Sequence, residues 1–341
     1  MFSISATLMM LFVAQELKAV IVQGIGLSMV FFLILAGPRL GRAQAVSTDA
    51  GGLAQVGHGL LDDADFIAQV KQGMIFLYNV QFEDARSIFE QASQHFPEHP
   101  VGPFLEAVNT WWMIQIDHPD LTYDARFNAL IDEVLQRSNA FLKKDKHDQE
   151  AKYLKSAALG LRAQFRTRRQ SWLGAASDGK DSFDYIEELV EEDPDNDDIY
   201  YGLGVYDYYV PLALERYPIL KPILIIYPEG NKERGITRLE RVMRNGRFGR
   251  VEAAFALAKI FLQYEKTPAR ALGFITWLRT EFPDNPLFHT FEGQAYFDLE
   301  YWQEARRIYQ EVLERHHAGK RGYNQIIGNQ ARNALRRVGN S

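Results

Sequence analysis

The chain has 341 residues, 47% of them hydrophobic and 24% charged, with no cysteine and a formal charge of −6. Disordered proteins are poorer in apolar residues, and disulfide frameworks, thiolate metal sites and cysteine nucleophiles all need cysteine. Residues 1–45 carry Lys18, Arg39 and Arg42 against Glu16, so the remainder has a charge of −8, which argues against general nucleic-acid binding.

The first 45 residues have the composition of a targeting segment. Residues 19–36 form an uncharged apolar run that is preceded by a lysine and followed by a Gly-Pro break and the pattern Ala43-Gln44-Ala45. This order predicts a secretory signal peptide cleaved after Ala45, and hence export to the periplasm or cell envelope. A single-pass membrane anchor is the alternative, because the run reaches the lower limit of spanning length. Residues 46–62 are predicted to form a flexible tether.

The sequence after the tether repeats a helical motif. The signature positions of the first copy are Gly73, Phe76, Phe82, Ala85, Phe89, Ala92 and Pro97. Their spacing matches the tetratricopeptide pattern, a helix–turn–helix of 34 residues. The glycine and first alanine are small enough for the two helices of a hairpin to approach closely. The three phenylalanines are predicted to fill the space between that hairpin and the next, and the proline ends the second helix.

The same frame returns twice near the C-terminus. Its positions are Gly293, Tyr296, Trp302, Ala305 and Tyr309 in the last copy, and Ala258, Leu262, Ala271, Ile275, Leu278 and Pro283 in the copy before it. Ala271 and Ala305 are 34 residues apart, so the two copies are in register. The segments FPEHP (96–100), EDPDN (192–196) and FPDNP (282–286) are predicted to end hairpins, with Asp or Asn capping the next helix.

Further amphipathic helices are predicted between these copies, over residues 101–116, 123–143, 149–169 and 171–192. Trp111 and Trp112 are adjacent and point in different directions on a helix, so we expect one of them to be buried. A closing helix is predicted over residues 323–337, where its arginines form a solvated cap. The fold class is therefore all-α, a tetratricopeptide-like α-α superhelix (solenoid) of five to six helical hairpins over residues 63–340.

An apolar insertion, residues 211–230, interrupts the repeat. The sequence YYGLGVYDYY (200–209) is predicted to begin a hairpin whose second helix starts only at Asn231. Exposing the stretch 217–227 to water would cost several kcal/mol at roughly 25 cal/mol per Å². It is predicted to pack on the inner face of the superhelix or a neighbouring unit, or to contact a partner or membrane. Its predicted contact residues are Tyr217, Ile223, Ile226 and Tyr227.

The combination of YGLGVYDYY, the proline-broken insertion and the following PEGNKERGITRLERV resembles bacterial tetratricopeptide proteins. These in turn look like the eukaryotic tetratricopeptide-repeat-39 family and the fungal inclusion-body-clearance proteins. The resemblance covers about residues 195–315. It implies a repeat fold and brings no catalytic residue with it.

The sequence predicts no catalytic residue, metal site or cofactor. Its histidines lack a ligand spacing, and the calcium-loop start at Asp193 is not followed by the required glycine and glutamate. Gly202 and Gly204 lack the third glycine of a dinucleotide fingerprint and are predicted to let two helices touch. The basic segments 161–169 and 232–250 suit an anionic contact face, but we interpret them as outer helix faces with acids one turn away.

These features predict a non-catalytic protein-interaction scaffold of the cell envelope. In such repeats the first helix of each hairpin lines a concave groove, which here would mix aromatic, amide and carboxylate groups and suit a partner peptide or helix. The predicted groove residues are Tyr78, Gln263, Tyr264, Gln294, Phe297 and Asp298, with Met74, Leu77 and Ile260 beside them as groove or core. Two alternatives stay open. One is an enzyme or small-ligand binder with a pocket beside the insertion, and the other is a peripheral membrane protein whose segment 217–227 enters lipid.

Overall fold

The computed structural model describes residues 59–216 and 228–339, and the regular structure of these residues is entirely helical. The helices are α1 (Ala64–Tyr78), α2 (Phe82–Ser93), α3 (Val101–Ile116), α4 (Asp124–Lys144), α5 (Gln149–Arg168), α6 (Trp172–Glu192), α7 (Tyr200–Arg216), α8 (Lys232–Asn245), α9 (Arg250–Lys259), α10 (Pro268–Glu281), α11 (Pro286–Asp298), α12 (Trp302–His317) and α13 (Gln325–Gly339). A π-helical turn, Ile260–Tyr264, continues α9. The predicted all-α class is confirmed for this part of the chain.

The helices follow one another as hairpins, from α1 with α2 to α11 with α12, and α13 closes the series. The predicted bounds of α3 agree with the structure, and those of α4, α5 and α6 differ by one residue at most. Asn231 and Asn285 cap α8 and α11, accepting from the Arg234 N–H at 2.7 Å and the Leu287 N–H at 3.0 Å. The prediction that α7 stops before the insertion was wrong, because α7 continues through Pro211 to Arg216.

A three-residue turn joins the helices of four hairpins. The central residues are Val80, Gln170, Lys266 and Glu300, each with φ between 52° and 63°. In three of these turns the next residue closes a six-to-one hydrogen bond, such as Gln81 N–H to the Phe76 carbonyl at 2.9 Å and Tyr301 N–H to the Tyr296 carbonyl at 2.9 Å. This is the Schellman ending of a helix, which usually places glycine at the left-handed position.

The repeat signature acts within each hairpin. A Cβ at Gly73 would overlap the ring of Phe89, and a Cβ at Gly293 would lie 2.8 Å from the ring of Tyr309. Phe89 therefore packs between α1 and α2 of its own hairpin, a contact that the sequence pattern did not predict for it. The alanines Ala85, Ala271 and Ala305 are fully buried. The prolines Pro97 and Pro283 lie just beyond the ends of α2 and α10.

The described chain divides into two compact units, residues 159–216 with 228–253 and residues 59–158 with 254–339. We call them the inserted unit and the terminal unit. In the inserted unit, α7 and α8 meet at two glycines, since a Cβ at Gly235 would lie 2.7 Å from the backbone nitrogen of Tyr208 and 2.8 Å from the Gly204 carbonyl. The prediction that Gly204 lets two helices touch is confirmed.

The terminal unit joins the first two hairpins to the last two. Both Trp111 and Trp112 are buried, at 5% and 0% exposure, so the prediction that one of them is exposed was wrong. The reason is that α3 packs on two sides: the Trp111 ring lies 5.9 Å from that of Phe127 on α4, while the Trp112 ring lies 5.8 Å from that of Phe288 on α11.

Three predictions fall outside the described residues. They are the signal peptide or anchor, most of the tether, and the insertion contacts Tyr217, Ile223, Ile226 and Tyr227. Within residues 59–216 and 228–339, no helix combines the length and the apolar character that a membrane crossing requires.

Candidate partner-binding surface

The N-terminal part of the predicted groove is filled by the protein's own aromatic side chains. Tyr78 is 2% exposed, and its ring lies 5.3 Å from that of Trp112 and 5.0 Å from that of Phe282. The Asn285 amide also donates to the Tyr78 carbonyl at 2.8 Å. Leu77 and Ile260 are fully buried as well. Tyr78 therefore belongs to the core of the terminal unit and is not accessible to a partner.

The other predicted groove residues lie on the last two hairpins. Gln294, Phe297 and Asp298 occupy the C-terminal half of α11, where the Gln294 amide donates to the Asp298 carboxylate at 2.6 Å. Gln263 is exposed and Tyr264 half-buried at the end of the π-helical turn. That turn shifts the register of the ladder, because the N–H of Glu265 bonds to the Ile260 carbonyl at 2.9 Å.

Two cations complete this group. The Arg337 guanidinium of α13 lies 4.4 Å from the Phe297 ring centroid, and the Phe297 and Trp302 ring centroids are 5.2 Å apart. Burial raises the pKa of the Asp298 carboxyl above its usual value, although the Gln294 hydrogen bond and the charges of Lys266 and Arg337 act in the opposite direction. The sequence did not identify Lys266 or Arg337, which reach Asp298 from a turn and from the closing helix.

We call this group the C-terminal surface. It consists of Gln263, Tyr264, Lys266, Gln294, Phe297, Asp298 and Arg337. Side-chain amides on it can hydrogen-bond a peptide backbone, the cations can bind a carboxylate, and the aromatic rings can pack against an apolar side chain. The chemistry suits recognition of a polypeptide segment.

The basic segments are largely neutralised inside the inserted unit. Arg234 and Arg238 of α8 both bind Asp207 of α7, which is 1% exposed, and the Arg234 contacts measure 2.7 and 2.6 Å. Arg162 and Arg166 of α5 bind Asp178 of α6 in the same way, with contacts of 2.8 and 2.6 Å. We use the term arginine clasp for two arginines, four residues apart on one helix, that bind one carboxylate of another helix.

The clasps change the interpretation of both basic segments. The main acidic partners of these arginines lie on the neighbouring helix. The predicted pairing one turn apart is seen for Arg244, which lies 3.8 Å from Glu240. Sequence reasoning missed Asp178 and Asp207, because their partners are not at a fixed spacing along the chain. The one available signal was an aspartate placed within the apolar, tyrosine-rich run of α7.

The acidic turn before α7 contains a further residue that sequence reasoning missed. Asp198 is buried and accepts hydrogen bonds from the backbone N–H groups of Arg247, Phe248 and Gly249 at 3.0, 3.1 and 2.8 Å. Asp198 holds the loop between α8 and α9 in place. In the described part of the chain, no three His, Asp or Glu side chains are grouped so as to hold a metal ion.

No protein-family model matches the chain, and no curated protein does. Among solved structures, the chain is similar to the crystal structure of the P58(IPK) TPR domain, with 15% identity over 81% of this chain and 98% of that chain and a TM-score of 0.22. A TM-score this low does not support a shared fold, so the evidence for the repeat fold is the helices and contacts described above. The resemblance to the tetratricopeptide-repeat-39 family stays a prediction.

Proposed function

We propose that the chain is a protein-interaction scaffold that binds a peptide or helix of a partner protein at the C-terminal surface. The observation that carries this proposal is the grouping of amide, aromatic, carboxylate and cationic side chains from α11, α13 and the turn before α10. Because α1 and α3 bury their inner faces against the last hairpins, the proposed site is confined to this end of the repeat.

The location that we propose for this scaffold is the cell envelope. The support for it is the apolar run 19–36 with its Ala43-Gln44-Ala45 pattern. Cell fractionation followed by N-terminal sequencing tests it. A mature chain that starts at Val46 supports a cleaved signal peptide, whereas an intact amino terminus on a membrane-bound chain supports the anchor.

Site-specific photocrosslinking in cells is the first test of the binding surface. A photoreactive phenylalanine analogue replaces Gln263, and a matched control replaces Leu121, which is also exposed but lies between α3 and α4. We expect a discrete crosslinked protein from position 263 and none of the same mass from position 121. Equal crosslinking at both positions, or at neither, contradicts the assignment.

Affinity of the captured protein then tests the residues themselves. The double variant Tyr264→Ala with Asp298→Ala removes a ring and a carboxylate from the C-terminal surface. We expect its Kd to rise at least about tenfold, which corresponds to roughly 1.4 kcal/mol. The control is Leu121→Ala with Asp120→Ala, which removes an exposed apolar side chain and a carboxylate elsewhere. An unchanged Kd for the first variant shows that partners bind another face.

A further inference from the structure

A third pair of arginines has the spacing of the arginine clasps. Arg332 and Arg336 lie four residues apart on α13, as do Arg162 with Arg166 and Arg234 with Arg238. Residues 315–341 contain no aspartate or glutamate, although the chain as a whole is acidic. The closing helix is therefore a cationic element on an acidic protein.

Amide oxygens of α13 itself hold this third pair. Arg332 donates to the Asn329 side-chain oxygen at 2.7 Å, and Arg336 donates to that of Asn333 at 3.0 Å. The Gln325 amide donates to Asn329 at 3.1 Å, which fixes the Asn329 side chain in turn. These partners are neutral amides, so they orient both guanidinium groups without compensating their positive charges. The pair has the spacing of a clasp and no carboxylate on its own helix to hold.

The exposed face of α6 has the complementary charges. Asp184, Glu187 and Glu191 are exposed at positions i, i+3 and i+7, and Glu187 and Glu191 have the same four-residue spacing as the arginines. Burial raises the pKa of the Glu187 carboxyl, and the charges of Asp184 and Glu191 raise it further, whereas the charge of Lys180, which binds Asp184, opposes them. Glu191 also lies in the last turn of α6, where the helix dipole disfavours negative charge. Binding of a cationic helix relieves this repulsion.

We propose that α13 of one molecule docks on α6 of a second copy, with Arg332 and Arg336 binding the carboxylates of Glu187 and Glu191. The contact is heterologous, since it joins different surfaces of the two molecules. It repeats between molecules the arrangement that the clasps make inside one molecule, in which arginines of one helix hold a carboxylate of another. It uses none of the residues of the C-terminal surface, so it is independent of the proposed function.

Sedimentation velocity of the purified protein is the primary test. At about 50 mM salt we expect the weight-average sedimentation coefficient to rise with protein concentration, and at about 500 mM salt we expect a monomer, because salt screens exposed charge pairs. A monomer at low salt over the whole concentration range overturns the proposal. Association that persists unchanged at high salt overturns it as well, since the contact is then not electrostatic.

Charge reversal tests the partner surfaces. In the double variant Arg332→Glu with Arg336→Glu, the docking residues of α13 and α6 are all negative. In the double variant Glu187→Lys with Glu191→Lys, they are all positive. Each double variant alone is expected to bind itself at least about tenfold more weakly than wild type, with an unchanged circular dichroism spectrum. An equimolar mixture of the two variants recreates opposite charges at every contact, so we expect it to associate as wild type does.

The matched control is Lys143→Glu with Lys146→Glu, which changes the charge equally at exposed positions at the end of α4. It is expected to associate as wild type does. If it loses association as completely as the α13 variant, net charge and not the docked pair is responsible. A mixture of the two reversal variants that stays monomeric shows that α13 and α6 are not partners.

Discussion

His289 is a fully buried imidazole on α11, in a part of the protein rich in cations. Its Nδ1 lies 3.1 Å from the Tyr323 hydroxyl. Burial, followed by the positive charges around it, lowers the pKa of His289 from 6.5 to about 3; these charges are those of Arg279, Arg315, Arg307 and Lys320. The Glu311 carboxylate is 3.4 Å from Nε2 and favours the opposite shift, but it is partly exposed and bound by Arg307. We therefore take His289 to be neutral in the folded protein.

Acid should destabilise the protein through this residue. Because the folded pKa lies below the unfolded value, the unfolded chain binds the proton first, and stability that is present above pH 6.5 is lost as the pH falls towards 3. Between pH 6.5 and 5, the free energy of unfolding should fall by about 1.5 kcal/mol from this group. Urea denaturation at the two pH values measures the change.

The isosteric variant His289→Asn provides the comparison, since it has no group that titrates in this range. We expect its free energy of unfolding to be lower at pH 7 and its pH dependence between 6.5 and 5 to be reduced by about 1.5 kcal/mol. An unchanged slope in His289→Asn contradicts the assignment.

Among the helices, those with a clear amphipathic period could be predicted from the sequence. The bounds of α3 to α6 follow from apolar residues on one face and from breaks at their ends. The four left-handed turns could not be predicted, because valine, glutamine, lysine and glutamate occupy positions that usually signal their conformation through glycine. The continuation of α7 through Pro211 was also missed, because a proline inside a run of residues usually ends or kinks a helix. In the structure Gly230 lies close to the Pro211 ring.

The contact between α7 and α8 leaves no room for a side chain on either glycine. We expect Gly235→Ala to lower the free energy of unfolding by about 1–3 kcal/mol, because the added methyl group meets the backbone of Tyr208 at 2.7 Å and that of Gly204 at 2.8 Å. Gly273→Ala is the matched control on α10, where a Cβ meets no atom within 4 Å. It should raise the free energy of unfolding by about 0.5–1 kcal/mol through helix propensity. Chemical denaturation measures the free energy of unfolding of both variants. Equal changes in the two variants contradict the close packing of α7 on α8.

At the scale of the whole molecule, the aromatic core of the terminal unit combines residues from distant parts of the chain. The repeat spacing could predict the hairpins, but nothing in it indicated that Tyr78 and Trp112 pack against Phe282 and Phe288. For this reason the repeat frame assigned its residues correctly to helices but placed Tyr78 on an open groove, whereas it is buried in the core. Residues that line an open groove and residues buried beneath other helices recur at the same spacing in the sequence. When other helices cover the inner face of a repeat, the spacing therefore cannot distinguish the two.

Coupling between the two segments of this core can be measured. Trp112→Ala and Phe288→Ala should each lower the free energy of unfolding by about 3–5 kcal/mol. Because the rings are 5.8 Å apart, the double variant should cost less than the sum, with a coupling of about 0.5–3 kcal/mol. Val312→Ala changes a different cluster, with Tyr323 and Ile327, and should combine with Trp112→Ala additively to within about 0.5 kcal/mol. Additivity in the first pair contradicts the shared core.

The hydrogen bond from the Asn285 amide to the Tyr78 carbonyl spans 207 positions of the sequence. Chains are synthesised from the N-terminus, so the ribosome makes α1 to α3 long before α10 to α12 exist. At typical synthesis rates of about 5–20 residues per second, this delay is roughly 10 to 40 s. During that time Tyr78 and Trp112 have no partner rings from the later helices. The terminal unit thus completes its core only once α10 to α12 have been synthesised, whereas the described residues of the inserted unit are all synthesised before them.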